Sequence, residues 1–148
     1  MTPDQFRTLL EAHFMSAIPH ARECGMSLVR LDEAGAVAQM PYRLEWLGDT
    51  ERGVIHTGVV TTLADTISGM AAVLAAGRFE VVATLDLRMD FLRPAQPELP
   101  LVSFAECYRL TRSIAFVRGH TWQADEKEPV ATHQATFMRG SAGRMVAK

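Results

Sequence analysis

Residues 57–77 read TGVVTTLADTISGMAAVLAAG and follow directly on His56. Within this stretch Val60, Leu63, Ile67, Met70 and Leu74 recur at the i, i+3, i+4, i+7 spacing of one helical stripe. At about 100° per residue, the opposite face carries Gly58, Thr61, Thr62, Asp65, Ser68, Gly69 and Ala72, without Lys, Arg or Glu. A surface helix would be charged there, whereas a helix lacking such a face is buried all round. The pattern therefore predicts one long buried helix with Asp65 as its only charged group. A carboxylate taken out of water is costly unless paired, hydrogen-bonded or protonated. Proteins often keep such a group where it does chemistry.

The flanking sequence supplies the rest of the architecture. Thr2, Pro3 and Gln5 form a capping box with proline at the first helical position. Phe6, Leu9, Leu10, His13, Phe14 and Ala17 mark one face of the helix that follows, and Pro19 is expected to end it. Strands are expected over 26–31 and 36–42, joined by a turn at 32–35, and residues 43–55 read as a polar, irregular loop. Residues 81–91 alternate, with Ala83, Leu85, Leu87, Met89 and Phe91 on one face and Thr84, Asp86, Arg88 and Asp90 on the other. Arg93-Pro94-Ala95-Gln96-Pro97 ends that strand, because proline cannot continue a central ladder. Further strands are expected over 101–110, 114–123 and 130–138. A run of antiparallel strands against a single buried helix is an α+β layer architecture.

The chain of 148 residues is long enough for one domain with a sizeable core, with residues 1–20 as a flanking helix. A net charge of −2 gives no basic surplus for nucleic acid or an anionic membrane. The opening MTPDQFRTLL lacks the charged and apolar regions of a secretory signal. The run at 70–76 is too short to span a bilayer. Cys24 and Cys107 form no metal spacing and read as reduced thiols of a cytoplasmic protein. His13, His20, His120 and His133 are scattered, so no metal site is expected. No G-x-S-x-G elbow, Walker loop or G-x-G-x-x-G is present.

The segment Gly53-Val54-Ile55-His56-Thr57-Gly58, followed by Leu63-Ala64-Asp65, resembles the hotdog-fold thioesterases of the phenylacetate-pathway (PaaI-like) type. That family carries a His-Gly-Gly turn at the head of its central helix and an acid nine positions after the His; here 65 − 56 = 9. Residues 84–95, TLDLRMDFLRPA, resemble the family's next strand. Two positions depart from the pattern: Thr57 stands for the first Gly, and the Asn of the preceding loop is missing, with Asp49 or Thr50 near its place. The resemblance implies about six antiparallel strands wrapped around the central helix. It also implies hydrolysis of acyl-CoA thioesters, CoA entering as part of the substrate, and sites at a homodimer interface, with a tetramer as a dimer of dimers open.

Thioester hydrolysis needs a donor for the oxyanion and either a base for water or a nucleophile. A helix start offers free N–H groups and a positive dipole end. Thr57 or Gly58 is the expected donor, and Asp65 the general base or nucleophile. By the same resemblance Thr84 can orient water. His56 shapes the turn or binds a carbonyl, and the Thr57 hydroxyl can cap the helix. Arg88, Arg93, Arg109, Arg112 and Arg139 are candidates for the CoA phosphates, none of them individually favoured. The alternatives are a non-catalytic acyl-CoA-binding module, which has no need of Asp65, and a hotdog hydratase or dehydratase, which acts on carbons beyond the thioester.

Overall fold

A computed structural model describes residues 2–140. Helix α1, Pro3–Glu11, begins with the expected capping box, the Thr2 and Gln5 side chains each accepting the other's backbone N–H. It continues as a π-helical stretch, Ala12–Ala17, whose wider turn buries both Phe14 and Met15. Pro19 ends this run and also opens a second short helix, α2 (Pro19–Glu23), which the sequence reading did not foresee. The reason is that proline at a first helical position sacrifices no hydrogen bond.

Strands β1 (Ser27–Asp32) and β2 (Gly35–Met40) form a hairpin. The segment expected as an irregular loop instead holds a 3-10 turn at Leu44–Trp46 and a ribbon of β3 (Leu47–Asp49) with β4 (Val54–Ile55). Helix α3 then runs Thr57–Ala76 and closes on Gly77 in the left-handed conformation (φ 65°), which glycine adopts without a Cβ penalty. Four strands follow: β5 (Val82–Phe91), β6 (Leu101–Leu110), β7 (Ile114–Trp122) and β8 (Ala131–Arg139). The six long strands make one antiparallel sheet in the order β1-β2-β6-β7-β8-β5. This is the expected sheet around one helix, with a helical N-terminal extension.

The sheet wraps α3, and the predicted stripe is the core: Val60, Leu63, Ile67 and Met70 are buried against Ala38, Ala105, Val117 and Phe137. By length and composition alone α3 could cross a membrane, which the reading of residues 70–76 missed. Its burial inside the sheet gives its apolarity another cause. Burial is not uniform, however. Ser68, Gly69 and Ala72 are enclosed, but Gly58 is exposed and Thr61, Thr62 and Asp65 are only half-buried. A sheet covers one side of a helix, and α1 and its extension reach only part of the other.

The alternation expected along β5 is broken. The register slips between Thr84 and Asp86, with Thr84 opposite Phe137 and Asp86 opposite Thr136. Leu85 is bulged outward and 51% exposed. The inserted residue reverses the parity, so Thr84, though still exposed at the sheet edge, lies on the helix side with Leu87 and Met89 and opposite to Arg88.

Candidate active site

The β3–β4 ribbon positions His56. The His56 N–H donates to the Trp46 carbonyl at 2.8 Å, and the ring packs against Gly48, where a β-carbon would come within 2.9 Å of His56 Cα. His56 is extended (φ −61°, ψ 132°), and its Nδ1 accepts the Gly58 N–H at 2.9 Å. The N-cap is therefore His56 and not Thr57: the ring nitrogen lies within reach of the helix's second N–H, as a capping oxygen would. An acceptor Nδ1 puts the proton of the neutral ring on Nε2. Val59 N–H is taken by the His56 carbonyl at 2.9 Å. Of the two expected oxyanion donors, Gly58 N–H is thus engaged. The Thr57 N–H meets no acceptor among the described residues. It stands at the positive end of a 20-residue helix.

Two turns further on, Asp65 accepts a hydrogen bond from Thr84 Oγ1 at 2.9 Å. The two residues come from different elements, and the β5 bulge is what aims Thr84 at the carboxylate. The hydroxyls of Thr61, Thr62 and Thr66 donate to the carbonyls of Thr57, Gly58 and Thr62 at 2.9–3.0 Å. These hydroxyl protons are satisfied within the helix, and Asp65 is the one ionisable group on the open face.

Thr57 and Asp65 do not meet within one chain, being eight residues apart on α3, about 12 Å at 1.5 Å per residue. Each has its own hollow. A cleft of about 400 Å³ runs past Thr57 between Val54 and Phe91–Ala95, and one of about 230 Å³ lies beside Asp65 and Thr84. A larger cavity of about 480 Å³ sits at the far end of α3, between α1 and the β1–β2 turn, and contains none of these residues. The two smaller hollows hold the acid and the free donor.

The arginines separate by their partners. Arg88 pairs with Asp90, Arg93 with Glu128, and the nearly buried Arg139 with Glu80 at 2.6 Å. The Arg139 contact holds the Glu80 carboxyl below its usual range. Arg139 therefore ties β8 to the segment after α3. The Arg109 and Arg112 side chains have no partner among the described residues. Among those residues no three His, Cys, Asp or Glu gather as a metal set, and both cysteines are free thiols whose burial raises their pKa.

Sequence reasoning missed a buried polar pair. Ser68 Oγ and His133 Nε2 are 3.0 Å apart between α3 and the sheet, and His133 is 2% exposed. Burial, with the charge of His120 as a lesser cause, lowers its pKa to about 4, so the ring is neutral at physiological pH. It also missed His20, on α2, which borders both the hollow at Gly58 and the one at Asp65. Neither residue stands in a motif that local sequence could reveal.

An antiparallel sheet wrapped around one long central helix defines the hotdog class. The chain belongs to the thioesterase superfamily, whose family model matches residues 52–130. It is 24% identical over 153 residues to the medium/long-chain acyl-CoA thioesterase YigI of Escherichia coli, covering 95% of this chain and 97% of that one. A crystal structure from Pseudomonas aeruginosa is 39% identical with a TM-score of 0.80, over 88% of this chain and 97% of that chain. The phenylacetic acid degradation protein PaaI of Thermus thermophilus, solved as a point mutant, is 26% identical with a TM-score of 0.71, over 82% and 98%.

Proposed function

We propose that this chain hydrolyses acyl-CoA thioesters in a homodimer. The Thr57 N–H of one protomer stabilises the oxyanion, and Asp65 of the other acts as general base or nucleophile. The observation that carries the reading is the Asp65–Thr84 hydrogen bond of 2.9 Å on the uncovered stretch of α3, with the free Thr57 N–H about 12 Å away on the same helix. Two copies of α3 running antiparallel across a two-fold would bring each acid to the other's donor, giving two identical sites. Strand β5 is a sheet edge carrying exposed Leu85 and Phe91, with Leu92 exposed just beyond it. An apolar edge of this kind calls for a partner. An acyl-CoA substrate is the one named for the Escherichia coli relative.

In the reaction, water attacks the carbonyl carbon as Asp65 takes its proton, or the carboxylate attacks directly. Thr84 Oγ–H, donating to Oδ1, leaves Oδ2 to act. The oxyanion gathers at the Thr57 N–H, where the helix dipole favours negative charge. Collapse expels the CoA thiolate; the water route gives the free acid directly, and the nucleophile route gives an acyl anhydride of Asp65 that water then hydrolyses to the free acid and the carboxylate. His56 holds the first turn in place through Gly58, and Gly58 lets substrate approach closely.

The test is complementation between Thr57→Pro and Asp65→Asn. Proline at the first helical position removes the N–H without breaking a helical hydrogen bond, the lost hydroxyl is controlled by Thr57→Ala, and the extended His56 before the proline is already compatible. Each variant alone should be inactive. Mixed dimers would contain one site with both defects and one with neither, so a statistical mixture should recover about a quarter of wild-type activity. Mixed dimers that form and stay inactive would overturn the shared site. Full activity in Asp65→Asn would remove Asp65 from the chemistry, whereas a wild type that binds acyl-CoA without hydrolysing it would favour a binding module.

A further inference from the structure

We infer that the N-terminal helical segment, through Phe14, Ile18 and Ala21, builds the acyl pocket and sets its length, so that the preferred substrate carries an apolar acyl group of medium size. This rests on the thioesterase reading and adds a specificity determinant from outside the 52–130 stretch that the family model matches. The hollow beside Asp65 and Thr84 is closed on one side by Phe14, Ile18 and Ala21, and on the other by Gly69, Val82 and Phe137. Its polar lining includes the Asp65–Thr84 pair, where the thioester carbon would sit; the apolar residues lie where the acyl tail would run.

The geometry of the segment places Phe14 at the hollow. The π-helical stretch Ala12–Ala17 brings Phe14 against α3 at 7% exposure; such stretches recur at functional sites. Gly69 is one helical turn beyond Asp65 and has no side chain to fill the space. A β-carbon there would lie 3.4 Å from the Phe14 ring and 3.7 Å from the Phe137 ring. The absent side chain is what keeps the floor open. At roughly 30 Å³ per small group, the hollow of about 230 Å³ holds about seven or eight heavy atoms. That is about the bulk of an octanoyl chain or a small aryl-acetyl group, with Ile18 among the residues that bound it.

Calorimetric binding of non-hydrolysable thioethers, S-butyl-, S-octyl- and S-dodecyl-CoA, tests the pocket on the whole protein. Wild type should bind S-octyl-CoA at least about tenfold more tightly than S-butyl-CoA. Ile18→Trp should erase that preference, and Ile18→Ala should move the optimum toward S-dodecyl-CoA. Gly69→Ala, whose β-carbon would meet the two rings at ordinary contact distance, should weaken S-octyl-CoA and spare S-butyl-CoA, and it serves if the tryptophan variant does not fold. Equal wild-type binding of the butyl and octyl thioethers, or an octyl preference unchanged in folded variants, overturns the pocket. Hydrolysis of octanoyl-CoA is measured separately. Its absence removes the thioesterase reading, while the thioether profile still decides the pocket.

Discussion

The buried Ser68–His133 pair makes stability depend on pH in a window set by one imidazole. His133 has an ordinary pKa of 6.5 when exposed in the unfolded chain and one of about 4 in the fold. Between these values the unfolded chain binds the proton and the folded chain does not. Stability therefore falls as pH drops from 6.5 toward 4 and is fully regained above 6.5. At about 1.4 kcal/mol per pH unit, the interval amounts to about 3 kcal/mol, of which about 2 kcal/mol is already lost at pH 5. The physical source is the enclosed ring: among the described residues Nδ1 has no hydrogen-bond partner, and Nε2 meets only Ser68. Urea unfolding of wild type and His133→Gln at intervals from pH 7.5 to 4.5 isolates the effect. The Glu80 carboxyl, with its lowered pKa, adds its own slope only below its ordinary 4.5. The wild type should lose about 2 kcal/mol more than the variant between pH 7 and pH 5. Parallel curves, or a His133 ring that titrates near 6.5 by NMR in the folded protein, would refute the argument.

Other outcomes follow from the same geometry. Asp65→Asn should lower kcat by about 10² or more while unfolding as wild type does in urea; steady-state kinetics on octanoyl-CoA reads the loss. Thr84→Val should lower kcat several-fold without changing KM for CoA esters, because it frees the carboxylate from its one side-chain donor; an unchanged kcat removes Thr84 from the site. Thr57→Ala retains the N–H and should keep most activity, whereas Thr57→Pro should cost about 10²–10³ in kcat; equal losses would assign the role to the hydroxyl. Gly119→Ala should destabilise by about 3 kcal/mol or more, because a β-carbon would stand 2.0 Å from the Phe104 carbonyl and 2.5 Å from the His133 ring; a thermal melt unchanged within error would contradict it.

The sequence by itself determined the helix and its acid. A stripe of Val60, Leu63, Ile67 and Met70, opposite a face without Lys, Arg or Glu, suits a helix withdrawn from water, and the strands that follow supply its cover. The alternating segments after Gly77 could cover it only as antiparallel strands. The nine-residue interval from His56 to Asp65 was equally local, because spacing along one helix survives folding unchanged. Tertiary structure decided the rest. Alternation along residues 81–91 puts Thr84 with Arg88 on the outer face, and only the bulge at Leu85, a matter of register against β8, turns it to Asp65. A capping threonine was the natural reading of position 57, yet the ribbon and Gly48 hold the His56 ring where it reaches Gly58 first. The half-exposure of Asp65 and the passage of Phe14 and Ile18 over α3 depend on how far the sheet and the N-terminal segment reach around the helix. Those are contacts between residues about fifty apart in sequence, and no local pattern encodes which of them close and which stay open.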